Sequence, residues 1–164
     1  LDMSRILSMN ETYIKTIDER DLFTHFKRYA ESYKKAFDVS KENSLIKSMN
    51  FLKNKAKTLE DIFNNAQYLI NDEIKIDSED RKLIDDQSKL IIKDFINEYI
   101  KLSSLNKDSL ELIIKSLIDK HKTNFKGVGQ PLRIGLVGSK FGPGLYDVIL
   151  SLDKAVVSKR LNKI

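Results

Sequence analysis

Every glycine and both prolines of this 164-residue chain fall between residues 127 and 144. Glycine and proline are the strongest local punctuators of regular structure, and outside that window a helical rhythm dominates. Leu22, Phe23, Phe26, Tyr29, Ala30, Tyr33 and Phe37 recur at the spacing of one apolar helix face. Leu59, Ile62, Phe63, Ala66, Leu69 and Ile70 repeat it more cleanly, with Thr58 placed to cap that helix and Asp61 in the capping-box position. Ser78 is expected to open a long helix with Glu79 and Asp80 in its first turn and Ile84, Ile91, Phe95, Tyr99 and Leu102 on its core face. After a turn at residues 103–108, Leu110, Ile113, Ile114, Leu117 and Ile118 form a further stripe. No stretch sustains the period-two alternation of a strand. The expected fold is all-α, in two helical subdomains over residues 1–75 and 76–164, without internal repeats.

Composition excludes several classes of function. With no cysteine there is no disulfide scaffold, thiolate metal site or cysteine nucleophile. His25 and His121 are too few for a histidine-based metal centre, and no order or spacing of Ser, His and Asp singles out a nucleophile. His25 reads as a helix-surface or core-edge residue. No apolar run reaches the length of a membrane span and no signal-peptide pattern begins the chain. A cytoplasmic monomer without membrane contact is expected. Gly127-x-Gly129 and Gly142-x-Gly144 follow no strand and complete neither glycine fingerprint, so nucleotide binding is not expected of them. The neighbouring acids Glu79-Asp80 and Asp85-Asp86 read as a solvated helix face rather than as an acid/base pair.

Charge is distributed unevenly. Residues 1–58 carry a net +4, residues 59–119 a net −6 and residues 120–164 a net +7. Two basic ends around an acidic middle suit a polyanionic partner. Within the glycine-bearing region, Lys126 to Pro131 reads as a turn leading into a helix, with Pro131 in its first turn. Residues 138–144 break that helix and start another through Leu145–Leu152, and Asp153 caps a last helix ending near Asn162. From Lys120 to Tyr146 the cations Lys120, His121, Lys122, Lys126, Arg133 and Lys140 meet no acid and are interleaved with Phe125 and Phe141. Cations among exposed aromatics suit RNA, since phosphates take the charge and unstacked bases lie on rings. Composition alone balances that against a basic face with two core phenylalanines; glycines and a proline between helices favour close backbone approach to a ligand.

The run Gly129-Gln130-Pro131-Leu132-Arg133-Ile134-Gly135-Leu136-Val137-Gly138-Ser139, followed by Gly142-Pro143-Gly144-Leu145-Tyr146-Asp147, resembles the C-terminal end of bacterial glutamyl-tRNA synthetases. The tail from Leu152 to Leu161 continues the likeness through Asp153-Lys154 and Lys159-Arg160-Leu161. Two further pieces occur in the same order. Ile6-Leu7-x-Met9-Asn10-x-x-Tyr13-Ile14 is similar to the opening of the family's anticodon-binding half, with Ser8 where a Trp is common. Lys55-Ala56-Lys57-Thr58-Leu59-Glu60-Asp61 is similar to its Arg-x-Lys-Thr-Leu motif.

The resemblance implies an α-helical, two-subdomain anticodon-binding region of a class I glutamate–tRNA ligase, non-catalytic by itself. The family's catalytic signatures belong to an N-terminal Rossmann part, where ATP and Mg would act; this chain contains neither signature, and no cofactor is expected in it. Its abrupt start at Leu1 fits a piece of a longer protein. Carried over by motif, Arg133 would contact anticodon bases, and Gly142, Pro143 and Leu145 would form the loop against the first of them, where members often have Thr in place of Gly142. Lys55 falls where an Arg reads the third anticodon base in members that charge only glutamate tRNA. A lysine offers one point charge where arginine offers a planar fork, so tRNA(Gln) joins tRNA(Glu) as an expected partner. Lys57, Lys120, Lys122, Lys126 and Lys140 are expected to hold phosphates. The alternative of a different class is a helical protein-docking module without RNA binding.

Overall fold

Short polar side chains start most of the helices. The computed structural model describes residues 9–164, so Ile6, Leu7 and Ser8 of the first motif lie outside the described residues. Asn10 caps α1 (Glu11–Thr16) by accepting the N–H of Tyr13 at 2.8 Å, which sets Ile14 into the core. Asp18 caps α2 (Glu19–Tyr33), whose face of Leu22, Phe23, Phe26, Tyr29 and Ala30 is buried. That helix stops at Tyr33. Phe37 lies beyond its end, yet its ring stacks on Phe26 with centroids 5.7 Å apart. After α3 (Glu42–Leu52) and a short 3-10 turn (Lys53–Lys55), Thr58 and Asp61 form a complete capping box at the head of α4 (Leu59–Asn65). The run expected through Ile70 divides at Ala66, which leads into the single turn of α5 (Gln67–Ile70).

The chain divides into two compact units, one ending at Asp72 and the other running from Glu73 to Ile164. In the second, the long helix expected from Ser78 is two helices. Asp77, not Ser78, caps the short α6 (Ser78–Arg81), and Asp85 caps α7 (Asp86–Tyr99) by accepting from the backbone N–H of Ser88 at 2.8 Å. An Asp in extended conformation offers its carboxylate to the next turn more effectively than it continues a helix. Ile84 and Leu102 therefore fall outside the helix and are half-buried, while Ile91, Ile92, Phe95 and Tyr99 supply its core face. Asn106 and Ser109 form a reciprocal cap for α8 (Lys107–His121), which ends at Lys122 in the left-handed conformation.

The segment read as a turn before a helix is itself helical. Asn124 accepts the N–H of Gly127 at 2.8 Å and starts α9 (Phe125–Val137), so Pro131 stands inside the helix rather than in its first turn. The cap supplied by Asn124 outweighs the breaking tendency of Gly127 and Gly129. α9 buries Val128, Leu132, Ile134 and Leu136 and packs on α7, α8, α10 (Leu145–Ser151) and α11 (Lys154–Asn162). Gly135 permits the approach of α11, since a Cβ there would lie 2.9 Å from Leu161 Cδ2. Arg160 Nη1 donates to the Leu136 carbonyl at 2.8 Å and satisfies an acceptor at the end of α9. Among the described residues there is no strand, and no helix is long and apolar enough to cross a membrane.

Candidate nucleic-acid interface

The loop between α9 and α10 is fixed from both sides. Gly138 ends α9 in the left-handed region at φ +91°, and its carbonyl accepts the N–H of Asp77 at 2.8 Å. Only glycine fits there, because a Cβ would collide with the Lys75 carbonyl oxygen as well as strain the backbone. Lys140 then donates its backbone N–H to Asp80 Oδ2 at 3.0 Å, and Phe141 donates its own to Ser139 Oγ at 3.1 Å. Asp80 is only 7% exposed, so the sequence-based placement of this residue on a solvated acidic face is corrected. A carboxylate that caps a distant loop carries no local sequence signal. Sequence reasoning missed it for that reason.

Arg133 projects from α9 toward this loop and donates from Nη1 to the Lys140 carbonyl at 3.3 Å. Burial pushes its guanidinium below the ordinary arginine range, its Nε has no partner, and no carboxylate lies within ion-pair distance among the described residues. The result is a half-buried cation with unspent donors. Gly142 follows at φ +152°, and Pro143 and Leu145 are buried. Leu145 Cδ2 packs at 3.4 Å from where a Gly129 Cβ would stand, so its side chain supports the loop from beneath. The exposed residue of the loop is Phe141, 73% exposed, beside the half-buried Lys140, whose Nζ lies 5.2 Å from the ring centroid.

The remaining cations of this unit differ in how committed they are. Lys120 is tied to Asp94 at 2.9 Å, and His121 Nε2 meets the same carboxylate oxygen at 2.8 Å. Those hydrogen bonds, that of Lys120 foremost, hold the Asp94 carboxyl below the usual range. Lys122 and Lys126 are exposed and have no ion pair among the described residues. Phe125 and Tyr146 pair with ring centroids 6.0 Å apart, and Lys107 Nζ lies 5.9 Å from the tyrosine ring.

In the first unit, Lys55 ends the 3-10 turn before α4 and is exposed, as is Lys57. Between them Ala56 is buried, and the N–H groups of Lys57 and Thr58 both donate to Asp61 Oδ2, at 2.9 and 3.2 Å. The capping box thus fixes the backbone that carries both lysines. Lys55 and Lys57 share this unit, whereas Arg133, Lys140, Gly142, Pro143 and Leu145 gather at one loop of the second unit. Among the described residues no three His, Asp or Glu side chains are grouped as a metal site requires.

Residues 21–164 match the model of the family described as the anticodon binding domain. The chain belongs to that family. The anticodon-binding domain here is 59% identical, over its full length, to the glutamate–tRNA ligase of Pelagibacter ubique (strain HTCC1062), of which it covers 35%. It is 28% identical to glutamate–tRNA ligase 1 of Syntrophus aciditrophicus (strain SB), with 97% of this chain and 34% of that protein aligned. The chain therefore spans about a third of the length of the curated relatives it matches. A crystal structure of a glutamate tRNA ligase from Elizabethkingia meningosepticum CCUG26117 superposes with a TM-score of 0.77 over 94% of this chain and 30% of that one, at 20% identity. A glutamate–tRNA synthetase structure from Elizabethkingia anophelis gives 0.73 over 99% of this chain and 31% of that one, also at 20%. These two likenesses show the all-α fold. None of the matches supports a protein-docking module.

Proposed function

We propose that this anticodon-binding domain is the tRNA-reading part of a cytoplasmic glutamate–tRNA ligase, and that it binds the anticodon of tRNA(Glu) as a monomer. ATP, Mg and glutamate would meet in another part of that longer protein. The observation that carries the reading is Arg133: a half-buried guanidinium without a carboxylate partner, held at the carbonyl of a loop that also presents Lys140 and an exposed ring. An unpaired cation with free donors beside an aromatic surface suits the phosphates and unstacked bases of an RNA loop. Lys122 and Lys126 add phosphate-holding charge on the same unit.

Lys55 extends the proposal to tRNA choice. Glutamate and glutamine anticodons differ at the third base, C against G, and a lysine ammonium discriminates base edges less than a guanidinium fork does. The domain is therefore proposed to accept both tRNAs. The test is binding of the full chain to a tRNA(Glu) transcript and to the same transcript with its third anticodon base changed from C to G. Comparable, salt-sensitive affinities, converted to a preference for C by Lys55→Arg and lost from both with Arg133→Ala, are expected. A strong preference in the unmodified chain would sink the dual-tRNA reading, and no binding to either transcript would sink the tRNA reading itself.

A further inference from the structure

We infer that Phe141 is a stacking platform for one unpaired nucleobase of the bound RNA loop, with Lys140 closing the other face of its ring. The inference rests on the tRNA reading above and adds the residue that takes a base by its face. Phe23, Phe26 and Phe95 are buried, whereas Phe141 leaves 73% of its surface in water and packs on no other ring among the described residues. That exposure is held in place by the backbone around it. On one side Lys140 is pinned through its N–H to Asp80 and through its carbonyl to Arg133, and Phe141 itself bonds to Ser139 Oγ. On the other side stand Gly142, at a φ that side chains rarely adopt, and the buried Pro143. These bonds fix the backbone from which the ring projects.

Lys140 Nζ sits over the ring at 5.2 Å from its centroid, a cation–π contact that leaves the opposite face for a base and keeps the ammonium within reach of that nucleotide's phosphate. Arg133 bonds to the carbonyl of the residue next to Phe141, so a base seated on the ring has guanidinium donors nearby for its edge. A phenyl ring has no donor or acceptor of its own. Phe141 therefore adds affinity for an unstacked base without choosing which one, and choice is left to Arg133 and Lys55. Phe125 is the natural comparison, because it is 46% exposed and already leans on Tyr146.

The chain has no tryptophan, so Phe141→Trp gives a single emitter at the contact and Phe125→Trp one at the comparison position. Each full-length chain is titrated with an RNA hairpin carrying the tRNA(Glu) anticodon loop, and binding is followed independently by anisotropy of the labelled RNA. Emission of the Phe141→Trp chain should be quenched as the hairpin binds, well beyond any change at position 125. Phe141→Ala should weaken hairpin binding by roughly five- to a hundredfold, the range of a single base–aromatic stack. The slope of log affinity against log salt should stay as it is in that variant, whereas Lys126→Ala should lower it by about one. Hairpin affinity of Phe141→Ala within twofold of the parent, or equal quenching at both positions, overturns the stacking inference and leaves the tRNA reading standing. Failure of the parent chain to bind the hairpin overturns both.

Discussion

The buried carboxylate of Asp80 accepts the backbone N–H of Lys140 at 3.0 Å, joining residues 60 positions apart. Asp80 sits in the short helix α6, whose cap Asp77 donates its own N–H to the Gly138 carbonyl, so two neighbouring residues grip the same loop at successive points. Removing the carboxylate leaves the Lys140 N–H without its acceptor and loosens the surface that carries Arg133 and Phe141. Asp80→Ala should cost about 1–3 kcal/mol in urea unfolding, the range for a lost bond to a charged group. Asp80→Asn keeps an acceptor oxygen and should cost clearly less. Equal losses in the two variants would show that the bond to Lys140 is not what Asp80 contributes.

Gly138 and Gly142 both adopt positive φ, yet they should respond differently to substitution. At Gly138 a methyl group meets the Lys75 carbonyl oxygen in addition to the cost of a left-handed backbone. Gly138→Ala should therefore destabilise by at least about 2 kcal/mol, because backbone has to move. At Gly142 the nearest atom to an added Cβ is Val137 Cγ2 at 3.6 Å, an ordinary contact. There only the dihedral strain of order 1–3 kcal/mol applies, and the neighbouring loop can relax part of it. Chemical denaturation of both variants should rank Gly138→Ala as the more damaging; the reverse order would mean that the Lys75 contact yields easily.

What the sequence made legible follows from how local each signal is. Thr58 with Asp61 could be read as a cap because both partners lie within one turn, and the apolar stripes of α2 and α8 announce their buried faces by spacing alone. The helix inferred across residues 78–102 split because Asp85 competes for its own cap, a contest that apolar periodicity does not register. The reading of residues 126–131 as a turn gave Gly127, Gly129 and Pro131 their average meaning. In place, Gly129 lies beneath Leu145 and Phe125, and Asn124 supplies the start that the glycines do not. Of the candidate interface, the cations, the aromatics and the motif around Arg133 were visible in the sequence. The burial of Pro143 and Leu145, the tie between Lys120 and Asp94, and the role of Asp80 are products of tertiary packing.

Asp94 makes acid stability a measurable property of the second unit. Its carboxylate is held below the usual range first by the hydrogen bond from Lys120 and then by that from His121, against the opposing effect of desolvation. A carboxyl whose folded pKa lies below its unfolded value contributes stability that is present at higher pH and is lost as pH falls through the folded value. The loss should begin near pH 4, where the unfolded carboxyl starts to take up its proton, and continue below that. Asp94→Asn should be less stable than the parent at neutral pH and should show a flatter decline between about pH 4 and pH 2. Thermal unfolding across that range measures both. Parallel pH curves for parent and variant would mean that the Lys120 and His121 contacts contribute no net linkage.

Tyr99 offers the opposite kind of change, a substitution that should not harm. The residue is fully buried, its ring stacks on Phe95 at 5.4 Å, and its hydroxyl has no hydrogen-bond partner. Lys154 Nζ lies 5.5 Å from the ring centroid, so the aromatic face is already in use while the hydroxyl is not. Burying an unpaired hydroxyl costs free energy that removal of the oxygen returns, less the small void left behind. Tyr99→Phe should be neutral or stabilising by up to about 1 kcal/mol, with the ring contacts retained. Burial, and secondarily the charge of Asp153, raises the Tyr99 phenol above its ordinary value. A raised folded pKa means a contribution held below the unfolded pKa and lost as pH climbs beyond about 10. The phenylalanine variant should accordingly resist alkaline unfolding better than the parent. A clear loss of stability in Tyr99→Phe at neutral pH would reveal that the hydroxyl makes an interaction after all, with an ordered water as the first candidate to look for.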